Sequence, residues 1–184
     1  NDLPVFISTD AILQSLHASY DHILKHLEMD MLEPNLSKAL DAMDAAIPTL
    51  VQRYGGNPKM SAALDDADLY ITMARSLLAD KKLQPRRVGA STFDTVWNAI
   101  QAQKMAYMPL FSERLRKIDC SQFIVRGHYT LDEGKPLGPY FKCMMWLGRI
   151  DFLLTPPPAA DEAPWGREEI RRMNLGAALI HELL

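Results

Sequence analysis

Apolar residues recur every three or four positions along most of this 184-residue chain, and that interval marks one face of an α-helix. Ile12, Leu16, Tyr20, Ile23 and Leu27 follow it, and Met60, Leu64, Ala67, Ile71, Ala74 and Leu78 repeat it. Ser8, Thr9 and Asp10 precede the first run, where a hydroxyl caps and a carboxylate meets the positive end of the helix dipole. The spacing predicts a helix from there to about Met29, its stripe in the core. Pro34, Pro58 and Pro139 stand where helices should start, because a first turn has no use for the missing N–H. Helices are thus expected from Pro34 to Gly55-Gly56, kinked or split at Pro48, and from Pro58 to about Asp80. Another should run from Ser91 or Thr92 through Phe93, Val96, Trp97, Ile100 and Met105 until Pro109 closes it, another from Pro139 through Ile150, and a last from Arg167 to Leu184.

Between these runs the signals change. Lys81 to Gly89 reads as a solvated connection. Ile118 to Tyr129 holds Phe123-Ile124-Val125 and Gly127, and reads as a crossing loop or lone strand. Leu3 to Ile7 reads as a short extended lead-in, and residues 155–164, with Pro156-Pro157-Pro158, as an internal stiff spacer. The expected fold is therefore mainly α: an irregular multi-helix bundle of about six helices with one extended crossing segment. Composition agrees, since 48% hydrophobic and 23% charged residues fit one globular domain over 1–184. A formal charge of −3 argues against nucleic acid as a partner, and no apolar run approaches the ~18 residues of a membrane span. The chain opens on Asn1 and closes on Leu183-Leu184 within an apolar helical pattern, so it reads as a piece of a longer protein whose remainder is its expected partner.

Four groupings could carry chemistry. Asp10, His17 and Asp21 fall within about 40° of one another on the first helix; they can supply part of a divalent-metal site, with His17 and Asp21 one turn apart, or a base and its orienting acid. The structural alternative gives Asp10 to the helix dipole and Asp21 to fixing the His17 tautomer. His22 and His26, also one turn apart, lie opposite the stripe beside Lys25 and Glu28, as a solvated surface does. The segment Ser121-Gln122-Phe123 with Arg126-Gly127-His128-Tyr129-Thr130 is the densest polar cluster off the helices; Arg126 can pair with a carboxylate such as Asp10 or Asp21, and His128 can add a nitrogen ligand to His17 and Asp21 or move a proton. Alternatively Arg126 and His128 satisfy carbonyls of an irregular crossing segment. Finally, His181-Glu182-Leu183-Leu184 matches the first four positions of a zinc-protease helix motif without its deciding histidine. Cys120 and Cys143 have no metal or redox spacing; both a bridge and two buried thiols are open. No dinucleotide, phosphate-loop or nucleophile-elbow motif occurs.

Ser8-Thr9-Asp10 with His17, Tyr20 and Asp21, Asp68-Leu69-Tyr70, Arg126-Gly127-His128-Tyr129-Thr130 and Met144-Met145-Trp146-Leu147-Gly148-Arg149 together resemble the bacterial domain-of-unknown-function family 3160 over nearly the whole chain. The resemblance implies a longer bacterial protein, often exported or lipid-anchored, hence an extracytoplasmic place, and brings no established activity. It also carries one departure, Gly134-Lys135-Pro136-Leu137-Gly138-Pro139, where the family has a charged helical turn. Two functions are open. The first is a structural or ligand-binding module of an envelope or secreted protein, with no cofactor. The second is a metal-dependent or acid–base hydrolase, with Asp10, His17, Asp21, Arg126 and His128 converging, which would need a divalent metal at His17, Asp21 and His128.

Overall fold

The computed structural model describes residues 7–130, 136–157 and 164–184. Among them the chain is mainly α-helical, as its apolar period predicts: α1 (Thr9–Leu27), α2 (Glu33–Tyr54), α3 (Pro58–Leu78), α4 (Ala90–Ala102), α5 (Gly138–Arg149) and α6 (Arg167–Glu182). Local chemistry sets the starts. The Ser8 hydroxyl accepts from the Ala11 N–H at 3.1 Å, and the Asn57 side chain from the Lys59 N–H at 3.0 Å, each satisfying a donor that a helix N-terminus leaves open.

α3 is the axis of the fold. It packs on α2, α5 and α6, and most of its residues from Ala63 to Leu77 are buried. The indole of Trp146 on α5 donates to the Tyr70 carbonyl at 3.0 Å, and the Tyr70 hydroxyl donates back to the Leu147 carbonyl at 3.2 Å. Phe152 stacks on Phe111 at 4.1 Å and meets the Tyr70 ring edge-on. Gly176 lets α6 close on that ring, since a Cβ there would stand 2.5 Å from a Phe152 ring carbon.

Buried carboxylates tie the helices to the connection 81–89. The fully buried Asp68 accepts the backbone amides of Arg86, Arg87 and Val88 at 3.2, 2.7 and 3.0 Å, and the Thr72 hydroxyl at 3.3 Å. Asp44 on α2 takes a bidentate pair from Arg86, and Asp66 takes another from Arg172 on α6. The connection is solvated as expected, with Lys81, Lys82, Gln84, Arg86 and Gly89 exposed, and is also strapped to the core by these bonds.

The structure corrects several expectations. Of the two outcomes expected at Pro48, a kink or a split, the split does not occur, since α2 is helical from Glu33 to Tyr54; Leu40, Met43, Ile47 and Leu50 are buried along it, and packing on both sides of the proline holds the turns together. α4 stops at Ala102, where Gln103 turns to a φ of +52°. Met105, expected on that helix, opens β1 (Met105–Pro109), which pairs antiparallel with β2 (Leu115–Asp119), Met105 opposite Asp119 and Pro109 opposite Leu115. Two 3-10 turns follow, Cys120–Phe123 and Gly127–Thr130, the second opening on Gly127 at a φ of +65°. Cys120 and Cys143 are buried free thiols, and burial pushes them up to about 11 and about 12. Of the expected segments, residues 3–6 of the lead-in, Gly134-Lys135 and residues 158–163 of the spacer lie outside the described residues.

The largest correction concerns α1. Its stripe does not enter the core: Ile12, Leu13, Leu16, Tyr20 and Ile23 are each 57% to 65% exposed. The helix joins α2 through a π turn, Glu28–Leu32, and its other main contact is with the turn Gly127–Thr130. On a regular helix Leu40, thirteen residues beyond Leu27, points about 120–140° away from it, with or without the extra residue of a π turn. One rod thus carries two apolar faces, and only that of α2 meets the core.

Candidate functional site at the π turn

The polar groups of the crossing segment converge on α1 at its base. Glu28, first residue of the π turn, accepts from the Tyr129 hydroxyl through Oε1 at 2.9 Å, while its Oε2 lies 2.6 Å from His128 Nε2. The Glu28 and His128 side chains are only 12% and 13% exposed, so the contact is screened little by solvent. Gly127 at positive φ makes the sharp approach that brings both donors to one carboxylate. Tyr129 packs between the His128 ring, 4.1 Å away, and the Phe141 ring of α5, 4.9 Å away. Burial first, then the Glu28 hydrogen bond and charge, hold its phenol well above the ordinary range, so it remains a donor. Tyr140 is raised for the same leading reason, with the charges of Glu28 and Glu33 contributing. Lys25 and Glu33, one turn to either side, are themselves buried. π turns recur at functional sites and widen the helix locally; here the widened turn sets a carboxylate against a glycine corner.

The expected site residues do not all gather there. His17 and Asp21 pair with each other on α1, Nε2 to Oδ2 at 3.5 Å, with the His17 side chain 70% exposed. Asp10 is exposed in the first helical turn. His26 lies 4.0 Å from Asp30. Arg126 donates to the carbonyls of Gln122 and Ile124 at 3.1 and 3.3 Å and covers the Phe141 ring at 5.1 Å, which is the role of satisfying its own irregular segment. Of the five residues, His128 alone enters the Glu28 clasp. Among the described residues no three His, Cys, Asp or Glu side chains come together as metal ligands. Glu182 of the half-motif pairs with Arg53 and takes the Tyr54 hydroxyl at 2.9 Å, fastening α6 to α2. Glu28 was missed from sequence although a signal existed: it is seven residues, two turns, beyond Asp21, on the same face.

Chemically the clasp is closed, because both carboxylate oxygens are engaged by the protein's own donors. What it does is fix the direction in which α1 leaves the body. A cleft of about 370 Å³ lies elsewhere, between α2 and the end of α3, lined by Glu33, Asp41, Arg75 and Lys81 among others. A smaller one, about 280 Å³, lies beside α6 around Lys59, Glu113 and Arg171. No helix of the described residues is long and apolar enough to cross a membrane.

No curated protein and no solved structure matches the chain. One family model does, over residues 1–184, and it carries the description "Protein of unknown function (DUF3160)". Since that match spans the whole chain, with the resemblance of its RGHYT and MMWLGR segments pointing the same way, the chain belongs to that family.

Proposed function

We propose that this chain is a structural binding module of an extracytoplasmic bacterial protein, a packed helical body that presents α1 to a protein partner. One observation carries the reading: an apolar stripe of five large side chains stays 57% to 65% exposed on a helix whose base is clasped by Glu28, His128 and Tyr129. A contiguous apolar patch of a few hundred Å² is about the largest a monomer exposes and is often where something docks, and amphipathic helices are bound through i, i+3, i+4 and i+7 anchors. The place outside the cytoplasm rests on the family resemblance, and fractionation of cells making the natural protein tests it.

A titration with a fluorescent synthetic amphipathic helix carrying leucine at the a and d heptad positions tests the docking. Saturable binding that Leu16→Glu with Ile23→Glu abolishes is the expected result; no binding by the parent chain refutes it. A second reading, an acid–base hydrolase, draws on the 2.6 Å contact between Glu28 and His128, since a carboxylate orienting an imidazole is a known base arrangement. Hydrolysis of an activated ester that disappears in His128→Ala, with the fold intact by circular dichroism, would favour it.

A further inference from the structure

The stripe on α1 has the pattern of a short coiled-coil seam. Leu13, Leu16, Tyr20, Ile23 and Leu27 are spaced by three, four, three and four residues, which places them at a, d, a, d and a of a heptad. All lie in the regular α-helix before the π turn. Numbered from both ends the seam is nearly its own complement. In an antiparallel pair Leu13 meets Ile23 of a second copy, Leu16 meets Tyr20, and the same two layers repeat in reverse beyond the two-fold axis. Each layer sets an a residue against a d residue, and a tyrosine needs only its hydroxyl at the rim.

Area and charge agree with this occupant. A fully exposed Leu or Ile side chain offers on the order of 100 Å² of apolar surface. With Ile12, Leu13, Leu16, Tyr20 and Ile23 more than half exposed and Leu27 at 41%, each copy brings roughly 350–400 Å². If apolar atoms make up about three-fifths of an interface, a pair buries roughly 1,200 Å² in total, the low end of what specific association needs. The exposed end charges of α1 are Asp10 in its first turn and His26, basic when protonated, in its last. Antiparallel packing sets the acidic start of one helix level with the basic end of the other and opposes the two dipoles. Parallel packing would instead bring the two Asp10 carboxylates level with each other, and likewise the two Asp30 carboxylates just beyond the helix. The clasp keeps the seam presented, and opposite directions keep the two bodies at opposite ends of a rod about 28 Å long.

We infer that α1 pairs antiparallel with α1 of a second copy, through the layers of Leu13, Leu16, Tyr20 and Ile23, with Leu27 level with Thr9 at each end, to make a weak symmetric dimer. The inference rests on the docking reading above and names its partner.

Sedimentation equilibrium of the whole chain from roughly 2 to 200 μM, the range in which an interface of this size is expected to dissociate, reads the dimer directly. The expected mass rises towards twice that of the monomer across the range, and Leu16→Glu with Ile23→Glu, both at exposed positions, holds it at one. The direction is read by Ser19→Cys under mild oxidation. Ser19 is a g position beside the two-fold axis, so an antiparallel pair brings it against its own copy, whereas a parallel pair sets it against Leu24. Cys120 and Cys143 are buried and do not compete. A covalent dimer of Ser19→Cys is expected. A chain monomeric throughout, a dimer that survives the double substitution, or a dimer that Ser19→Cys fails to link each overturns the inference. A monomer that still binds the synthetic amphipathic helix removes the second copy and leaves the docking reading standing; a monomer that binds nothing removes both.

Discussion

Replacing Tyr129 by Phe removes one hydroxyl and leaves every ring contact in place, so it isolates the clasp. In the parent the hydroxyl donates to Glu28 Oε1 at 2.9 Å while His128 occupies Oε2. A hydrogen bond to a charged group contributes ~1.5–3 kcal/mol, and a poorly solvated carboxylate that loses a donor is penalised further. Glu28 is 12% exposed, so water can replace only part of the loss, and ~1.5–2 kcal/mol is the expected cost. Glu28→Gln keeps one acceptor oxygen but sets an amide donor against the other partner, which should cost ~1–3 kcal/mol. Since the two groups share one bond, the double variant should fall short of the sum by about 1 kcal/mol or more in a double-mutant cycle. Urea denaturation supplies the free energies. Hydrogen exchange supplies the location: amides of α1 from Ile12 to Leu27 should exchange faster in Tyr129→Phe while those of α3 from Leu64 to Leu77 keep their relative order. A Tyr129→Phe stability within about 0.5 kcal/mol of the parent, with α1 exchange unchanged, would show that water replaces the hydroxyl and that the clasp does not set the helix.

Three more expectations follow from the core. Asp68→Ala strips the acceptor from three backbone amides and a threonine hydroxyl, and should cost ~3–5 kcal/mol or prevent folding, while Asp68→Asn, which retains one oxygen, should cost less; equilibrium unfolding ranks the two. Gly176→Ala places a methyl 2.5 Å from the Phe152 ring and should cost ~1–3 kcal/mol by overpacking, an effect that Phe152→Leu in the same chain should partly relieve in thermal melts. Cys143, held up at about 12 by burial from an ordinary 9.0, is an acid whose folded value is raised. Its contribution is whole below the unfolded value and is lost as pH rises from there towards 12, on the order of 1 kcal/mol by pH 10. Melting temperatures should therefore fall between pH 8 and pH 10, less so in Cys143→Ala measured against its own value at pH 8, and native Cys143 should resist thiol reagents that label it in urea.

The helices were legible because their information is local. Ser8, Asn57 and Pro58 act within one turn of themselves, so their neighbours suffice to place α1 and α3. The hairpin was not. Met105 to Met108 continues the apolar run of α4, and only Gln103 in a left-handed conformation ends the helix, a choice made when β2 arrives from a dozen residues away. Asp68 reads in sequence as one polar residue among the α3 carboxylates; its task appears only when residues 86–88 fold back over it. His128 is legible as a polar group at a glycine corner, but the sequence points it towards His17 and Asp21, whereas its partner Glu28 lies three turns beyond His17, where the rod meets the body.

A stripe and a core face on one rod need not be the same face, and the phase could have been counted. Leu27 and Leu40 are thirteen residues apart, which no helical repeat brings into line, so the run through Ile12, Leu16 and Tyr20 could share a core with Leu40, Ile47 and Leu50 only if the rod broke between them. The rod does not break: it takes a π turn, and Glu28 in that turn is clasped to the body. From continuity and phase alone, then, the stripe has to face away from the core that α2 serves. That makes its large apolar residues a demand for a second surface, and the heptad order within the stripe limits which surfaces can answer it.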